Sequence, residues 1–316
     1  MTPVRFGQYR SVSSDQGGLR AIIAALAANV GIAISKFVAY LFTGSSSMLA
    51  EAVHSFADSS NQVLLLIGGR RAARPADEEH QFGYGANRFL YSFLVAVVIF
   101  LAGGVFAIYE SWHKFADPHP LEDPIWAFGV LGVSIGLESF SLRTAVKESK
   151  QRRRSLSWVQ FVRRTKAPEL VVVLLEDLGA LVGLTFALAG VTLAVLTGDG
   201  RWDAVGTLAI GILLVVIAVV LARQTSSLLV NEAADPVMVD AIRTALAAEP
   251  GIGRVIHLRT AHLGPDDLLV GAKIAVEPTA TAADVARTID GAEQRVRAAV
   301  PYDCTIYLEP DVDRDG

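Results

Sequence analysis

The sequence has almost no cysteine, and its charges give it no basic character. Of its 316 residues only Cys304 carries a thiol, which excludes a disulfide framework and a metal site built from several thiolates. The formal net charge is −4, which argues against nucleic acid as a partner. With 52% hydrophobic residues, the chain is also too apolar to remain disordered. No signal-peptide cleavage pattern begins the sequence, so we expect the first apolar segment to stay attached.

Charged residues are scarce over most of the chain but not at its end. Residues 1–234 contain 38 charged side chains, about 16%, whereas residues 235–316 contain 22, about 27%. Typical soluble domains have roughly 25%. The second segment is also acidic, with 14 acidic against 8 basic side chains. This contrast predicts a transmembrane domain over 1–234 and a cytosolic domain over 235–316.

Six segments of the first domain are predicted to be transmembrane helices, each of which needs about 20 mostly apolar residues. Two of them contain no charged residue, whereas the second contains Glu51, His54 and Asp58. The six predicted spans are residues 21–42, 48–69, 89–109, 124–142, 168–197 and 204–222.

The distribution of lysine and arginine supports six spans and predicts their orientation. Excess basic residues mark the cytoplasmic side of a membrane protein. With the N-terminus inside, the outer loops carry only Lys114 and Arg201. The pattern therefore predicts a multi-pass protein with both termini in the cytoplasm. The 22 arginines against 6 lysines favour a bacterial plasma membrane.

The segment 147–166 combines many basic residues with apolar ones, including Trp158 and Phe161. We interpret it as a loop that sets topology and rests on anionic lipid headgroups. A regulatory lipid or partner site is the alternative.

The second predicted span carries a polar stripe. Glu51, His54 and Asp58 are spaced by three and four residues, which places them on one helical face, and Asn61 and Gln62 extend it. Charged residues inside a membrane are costly and indicate function. An imidazole and a carboxylate four residues apart can bind one Zn²⁺, Mn²⁺, Fe²⁺ or Co²⁺ ion. A hydrogen-bonded network between helices is the alternative interpretation.

The fifth predicted span supplies two further carboxylates, Glu176 and Asp177. Gly179 and Gly183 follow them, and small residues four apart allow close helix packing in a membrane. We expect this packing to bring both carboxylates near the second span. Lys36, in the first span, is expected to snorkel or to be paired rather than to bind substrate, and Glu138, in the fourth, to pair with a cation or face a cavity.

Residues 44–58, GSSSMLAEAVHSFAD, resemble the second helix of the cation diffusion facilitator family. Asn61-Gln62, the run His80-x-Phe82-Gly83-Tyr84-Gly85 and the fifth-span run from Glu176 to Gly183 strengthen the resemblance. The branch it points to includes the mitochondrial zinc transporter of animals and bacterial relatives. The resemblance extends from about residue 18 to about residue 311.

The resemblance implies proton-coupled export of a divalent cation, with zinc first and manganese, iron or cobalt as alternatives, by a homodimer with six transmembrane helices. It assigns His54, Asp58 and Asp177 to the transport site. Many members have a further His or Asp at the position of Val173, which cannot bind metal. Glu176 is our substitute ligand, with Glu51 behind it. The metal is cargo, and we expect no prosthetic cofactor.

The resemblance also implies a ferredoxin-like cytosolic domain. The pattern of residues 237–249, 254–261, 268–277, 282–299 and 304–309 predicts the order α-β-β-α-β, which agrees with that fold. Some relatives bind metal on these strands, but Lys273 and Tyr307 occupy the ligand positions here, so dimerisation is the expected role.

A weaker, secondary metal site is suggested in the loop after the second span. Asp77 and His80 match part of a secondary site of the family, whereas Tyr84 replaces a further histidine.

Two other functions stay open from the sequence. One is an intramembrane metalloenzyme, which needs a general base and a metal-bound water. The sequence has no H-E-x-x-H motif, so we expect a transporter rather than an enzyme. The other is a metal-sensing membrane scaffold that carries no flux.

Overall fold

The computed structural model describes residues 16–153 and 157–312, which form a helical bundle followed by a small α+β unit. The helices of the bundle are α1 Gln16–Thr43, α2 Ser46–Ala72, α3 Asn87–Leu94, α4 Ala102–Ala116, α5 Ile125–Arg153, α6 Trp158–Arg164, α7 Pro168–Thr197 and α8 Arg201–Leu229. A π-helical segment, Val95–Leu101, joins α3 to α4, so that Asn87–Ala116 is one continuous helical rod.

Four helices in the described part of the chain are long and apolar enough to cross a membrane, namely Asn87–Ala116, Ile125–Lys147, Pro168–Thr197 and Arg201–Leu229. Helices α1 and α2 have 28 and 27 residues, a length of about 40 Å at 1.5 Å per residue. The polar stripe of α2 lowers its hydropathy, and only Asn29–Thr43 of α1 is recognised as apolar. Six spans therefore stay a prediction.

Helix α2 lies inside the bundle, in contact with α1, α3, α7 and α8. Its N-terminus is held by Asp203, a fully buried residue in the first turn of α8. The Asp203 carboxylate accepts hydrogen bonds from the Ser45 hydroxyl at 2.8 Å and from the Ser46 backbone N–H at 2.7 Å. A negative charge at a helix N-terminus stabilises the free N–H groups there. These contacts set the position of α2, which carries the polar stripe.

A glycine pair brings α4 and α8 into close contact. A Cβ atom at Gly211 would lie 2.9 Å from the backbone nitrogen of Ile108 and 3.0 Å from the carbonyl oxygen of Gly104. Because these are backbone atoms, only separation of the two helices could accommodate a side chain.

We expect Gly211→Ala to destabilise the bundle by about 1–3 kcal/mol, the usual cost of overpacking. The measurement is thermal unfolding of the purified protein in detergent. Gly129→Ala in α5 is the matched control, because a Cβ there has nothing within 4 Å. Equal unfolding temperatures for the two variants would show that α4 and α8 do not pack at Gly211.

The C-terminal unit consists of α9 Pro236–Ala247, β1 Ile252–His262, β2 Asp267–Val276, α10 Ala282–Ala299 and β3 Asp303–Val312. The predicted order α-β-β-α-β is thus observed; β1 and β3 are longer than predicted, and β2 has the predicted length but begins one residue earlier. The sheet has the order β1-β2-β3, in which β1 and β2 are antiparallel and β2 and β3 are parallel. Helices α9 and α10 contribute Ile242, Leu246, Ala292 and Val296 to its buried core. The ferredoxin-like assignment itself stays a prediction.

The β1–β2 turn contacts the loop that precedes α3. A Cβ at Gly85 would lie 3.1 Å from the Gly264 Cα atom, so the two backbones touch. Beside them, the Arg88 Nη1 atom lies 3.5 Å from both Glu169 Oε1 and Asp266 Oδ2. These contacts link the C-terminal unit to the ends of α3 and α7.

His262, at the end of β1, is 2% exposed, and neither ring nitrogen has a hydrogen-bond partner among the described residues. Its ring packs edge-on against Tyr302, with 5.2 Å between centroids. This packing is that of a structural residue buried at the end of a strand. Burial, with the nearby positive charge of Lys166, lowers the pKa of His262 to about 4.

This pKa predicts acid sensitivity. The unfolded chain binds a proton near pH 6.5 and the folded chain only near pH 4, so the contribution of His262 to stability is complete above about pH 6.5 and decreases as the pH falls to about 4. Over this pH range the free energy of unfolding decreases by about 3 kcal/mol. We expect His262→Phe to unfold with a shallower pH dependence than the unsubstituted chain. His257→Asn, at an exposed position of β1, is the control and should leave the dependence unchanged.

Candidate functional site

The polar stripe of α2 is buried, as the helical spacing predicts. Glu51 and Asn61 are 0% exposed, His54 is 2% exposed and Asp58 is 7% exposed. On the opposite face Phe56 is 65% exposed. Helix α2 therefore places its ionisable side chains inside the bundle and an apolar face outside.

A small polar cavity of about 60 Å³ lies beside the stripe, between α1, α2, α5 and α7. Four carboxylates line it, Asp58 from α2, Glu138 from α5 and Glu176 with Asp177 from α7. The remaining lining residues are Asn29, Ile32, Ser55, Gln62, Leu137 and Ser141. The predicted approach of the fifth-span carboxylates to the second span is thus observed.

Two buried carboxylate oxygens at this cavity accept no hydrogen bond. The Ser141 hydroxyl donates to Asp177 Oδ1 at 3.0 Å, whereas Asp177 Oδ2 is buried without a partner. Asp58 Oδ1 is likewise buried and accepts no hydrogen bond, although His54 Nδ1 lies 3.5 Å from it. The Asn61 amide donates to Glu176 Oε2. Buried polar atoms are normally hydrogen-bonded, so these unsatisfied oxygens on two helices are suited to bind a cation.

His54 lies next to the cavity rather than among its lining residues. Its Nδ1 atom is 3.5 Å from Asp58 Oδ1, and its Nε2 atom is buried without a hydrogen-bond partner. The ring packs near Phe100, with 6.3 Å between centroids. With the ring proton on Nδ1, which faces Asp58, Nε2 presents a lone pair that can bind a metal, but His54 must turn towards the cavity to share an ion with α7.

The predicted ligands do not converge on one point. Within residues 16–153 and 157–312, no group of three or more His, Cys, Asp or Glu side chains is close enough to hold a metal ion together. The structure brings Asp58, Glu176 and Asp177 to one cavity and leaves Glu51 outside it. Val173 is 37% exposed and does not line the cavity.

Glu51 pairs with Lys36 of α1. The Lys36 Nζ atom lies 2.9 Å from Glu51 Oε2 and 2.7 Å from the Ser55 hydroxyl, and both charged side chains are 0% exposed. The expectation that Lys36 is paired is confirmed. Glu51 keeps one unpartnered oxygen, Oε1, so its role as a reserve ligand stays a prediction.

The two glycines of α7 contact different helices. A Cβ at Gly183 would lie 2.7 Å from Glu51 Oε1, so Gly183 faces α2 as expected. A Cβ at Gly179 would lie 2.6 Å from Ile217 Cδ1, so Gly179 faces α8. The expectation that both glycines bring α7 to α2 is wrong for Gly179, because residues four apart turn by about 40° on a helix with 3.6 residues per turn.

The loop residues Asp77 and His80 lie together but already have partners. The Asp77 carboxylate accepts hydrogen bonds from the Tyr84 hydroxyl and the His80 backbone N–H, both at 2.7 Å. The Tyr84 hydrogen bond, followed by that of His80, lowers the pKa of Asp77. The His80 ring stacks on Tyr84 with 4.3 Å between centroids, and its Nδ1 lies 3.8 Å from Asp77 Oδ1. A secondary metal site here stays a prediction.

Two residues of α5 have a larger part in the cavity than the sequence suggested. Glu138 faces the cavity, which confirms one of the two expectations for it, and Ser141 binds Asp177. Sequence reasoning missed Ser141. Its separation of three residues from Glu138 was the available signal, since such residues share a helical face.

Two family comparisons match nearly the whole chain. Residues 22–230 match the family described as cation efflux transmembrane domain. Residues 234–311 match the family described as cation efflux protein, cytoplasmic domain.

Individual relatives are 28–32% identical to this chain over the aligned residues. The proton-coupled zinc antiporter SLC30A9, mitochondrial, of Xenopus laevis is 32% identical over 244 residues, which are 77% of this chain but 44% of the relative. The metal tolerance protein C4 of Arabidopsis thaliana is 28% identical, over 83% of this chain and 58% of its own length. The cation-efflux pump FieF of Salmonella arizonae is 29% identical, over 78% and 77%. The chain thus spans less than half of the length of the frog antiporter.

These comparisons lead to the same family as the resemblance that the motifs of α2 and α7 suggested. Together with the four apolar helices they identify a multi-pass membrane protein with a cytoplasmic C-terminal domain. Since one family match covers residues 22–230 and a second covers residues 234–311, the chain belongs to the cation diffusion facilitator family.

Proposed function

We propose that this protein exports a divalent metal ion, zinc first, in exchange for protons. The observation that carries the proposal is the pair of buried, unpartnered carboxylate oxygens of Asp58 and Asp177, which belong to two helices and meet at one cavity. The name of the frog relative describes a proton-coupled zinc antiporter, which supports the same assignment. Manganese, iron and cobalt are the alternative cargoes, because the cavity offers mainly oxygen ligands.

In the proposed mechanism the ion enters from the cytoplasm and binds Asp58, Asp177 and Glu176, with His54 turning towards them. Glu51 stands behind as a reserve ligand. Metal and protons compete for the same ligand atoms, so protonation in the outward state releases the metal. Histidine suits this exchange because its unperturbed pKa, about 6.5, is close to working pH. Alternating access then follows from movement of α2 and α7 relative to each other.

The proposed arrangement in the membrane has six spans, with both termini in the cytoplasm. The basic residues near the start of α3 and in the α5–α7 connection support this orientation, because such residues favour the cytoplasmic side. We further propose a transmembrane domain over 1–234, a cytosolic domain over 235–316 and a homodimer. The bacterial plasma membrane stays a prediction.

The deciding experiment measures metal flux in proteoliposomes with an imposed pH gradient. Zn²⁺, Mn²⁺, Fe²⁺ and Co²⁺ are compared in parallel. We expect zinc flux that rises with a proton gradient directed opposite to the metal and falls when the gradient is collapsed. Metal flux that ignores the gradient would contradict proton coupling, and metal binding without flux would indicate a scaffold instead.

The same assay tests the ligand set. We expect Glu176→Ala and Asp177→Ala each to reduce flux strongly, because each removes a cavity carboxylate. Glu169→Ala, at a partly exposed position in the first turn of α7, is the matched control. Normal transport by Glu176→Ala would exclude Glu176 as the fourth ligand.

A further inference from the structure

A second, much larger cavity lies on the outside of the bundle, where α6 crosses between α5 and α7. This groove has a volume of about 580 Å³. Nine of its ten lining residues are apolar or aromatic, and the tenth is Arg163. Its walls are formed by α5, α6, α7 and one residue of α8, Val220. The proposed transport mechanism does not use it.

Helix α6 forms one wall of the groove and is held by its N-terminal cap and by one buried side chain. A capping box fixes its start, where the Ser157 hydroxyl accepts from the Gln160 N–H at 3.2 Å and the Gln160 side chain accepts from the Ser157 N–H at 3.0 Å. Phe161, 1% exposed, packs against Ala145 and Leu174 and anchors the helix to α5 and α7. The groove is therefore built by tertiary packing and does not depend on surface side chains alone.

One cationic side chain lines this groove, and a second follows its lining residues along α5. Arg163 lines it directly, and Lys150 follows Leu142 and Val146 on the same face of α5, each separated by four residues. Neither Arg163 nor Lys150 forms an ion pair or hydrogen bond with another described residue. The Trp158 ring, 38% exposed, also lines the groove, and the Arg153 guanidinium lies over it at 4.6 Å from the ring centroid. Tryptophan is enriched at membrane–water interfaces.

A comparison within the same molecule shows what is special about this groove. The outer groove between α1 and α5 has the same volume, about 580 Å³, and is lined by Trp126 together with small and aliphatic residues. No charged residue lines it. Of these two apolar grooves of equal volume, only the one beside α6 has a charged residue among its lining residues.

We propose that the groove between α5, α6 and α7 binds an anionic phospholipid. An acyl chain lies along Leu142, Val146 and Leu178, and the phosphate group contacts Arg163 and Lys150. Charge complementarity selects this occupant, since each Lys or Arg near a membrane surface favours anionic over neutral lipid by about fivefold. In this proposal the segment 147–166 does more than set the topology, because it holds one lipid molecule in a defined place.

The position of the groove gives the bound lipid a link to the transport cavity. Leu174, Leu175 and Leu178 of α7 line the groove, whereas Glu176 and Asp177, between them in sequence, line the polar cavity. The lipid and the cavity therefore contact two faces of the same two turns of α7. Rotation or displacement of α7 during transport changes both surfaces at once.

Tryptophan fluorescence tests the binding without any transport measurement. The other three tryptophans do not line the groove: Trp112 lies near the end of α4, and Trp126 and Trp202 lie at the starts of α5 and α8. A chain that retains only Trp158 therefore reports on the groove. Two sets of vesicles contain the same fraction of brominated lipid, which is phosphatidylglycerol in one set and phosphatidylcholine in the other. We expect the fluorescence of Trp158 to be quenched more in the phosphatidylglycerol set. A chain that retains only Trp126 should show no such preference.

Charge variants complete the test. Arg163→Gln with Lys150→Gln should lower the preference for the anionic lipid by about fivefold per charge. Arg70→Gln, an exposed cation at the end of α2 outside the groove, should leave it unchanged. Equal quenching of Trp158 by both lipids would overturn the proposal. Shielding of Trp158 from both would overturn it as well, since a protein surface, such as a second copy of the chain, would then cover the groove.

If the tryptophan replacements prevent folding, native mass spectrometry of the unsubstituted protein provides the same comparison. Retention of phosphatidylglycerol in excess over phosphatidylcholine, lost in the Arg163→Gln and Lys150→Gln double variant, is the expected result. Equal retention of the two lipids would contradict the proposal.

Discussion

Replacement of Asp58 by asparagine is expected to abolish metal flux while the protein stays folded. Asparagine has nearly the same shape as aspartate, but it removes the negative charge from the oxygen that is buried without a partner. Loss of groups that merely orient a metal ligand already costs roughly 10–100-fold in affinity or activity. For a ligand itself we expect a loss of at least about 100-fold in flux. Zinc uptake into proteoliposomes and zinc binding by calorimetry are the measurements.

A control for this substitution is available at the other end of the bundle. Asp117, which lies outside the cavity and pairs with His119 at 3.1 Å, is exposed, so Asp117→Asn should transport normally. Unchanged unfolding temperatures for both variants would attribute the loss of flux to the site. Normal flux by Asp58→Asn would remove α2 from the ligand set and contradict the proposed function.

Replacement of Lys36 by methionine is expected to destabilise the protein more than Gly211→Ala does. It leaves the Glu51 carboxylate buried at 0% exposure without its cation, and breaking a buried ion pair in this way costs about 3–5 kcal/mol. The measurement is reversible unfolding in mixed micelles. The physical reason is the high cost of an uncompensated charge away from water.

The double variant Lys36→Met with Glu51→Gln isolates the cause. We expect it to recover most of the lost stability, because a neutral amide is far less costly to bury than a carboxylate. Ser35→Ala, on the neighbouring exposed position of α1, is the control for a change in the helix itself. If the double variant is as unstable as Lys36→Met, the loss reflects packing of the lysine stem instead of the ion pair.

Some elements could be predicted from the sequence residue by residue. The predicted span 168–197 agrees with α7, which begins at Pro168 and ends before Gly198, where φ is +71°. The predicted helix 282–299 agrees with α10, which begins after a capping box formed by Thr281 and Asp284. Both cases rest on local signals, since proline, glycine and a capping box act within a few residues of the helix end.

Candidate site residues could also be proposed from the sequence, because helical spacing places Glu51, His54 and Asp58 on one face whatever surrounds the helix. The contacts that these residues make with other helices could not be predicted from the sequence. Whether Glu51 meets a metal or Lys36, and whether Gly179 faces α2 or α8, depends on the rotation of each helix against its neighbours. A rotation of α7 by one residue, about 100°, would exchange Asp177 for Leu178 at the cavity.

The sequence by itself determined a two-part membrane protein, its family and the helix faces that carry its ionisable side chains. These follow from composition, periodicity and short motifs, which are local properties of the chain. The tertiary structure alone decided that Glu138 and Ser141 of α5 join the cavity, that Lys36 neutralises Glu51, and that α6 closes an apolar groove behind the α7 carboxylates. These depend on packing between helices far apart in sequence, where small differences in rotation decide which side chains meet.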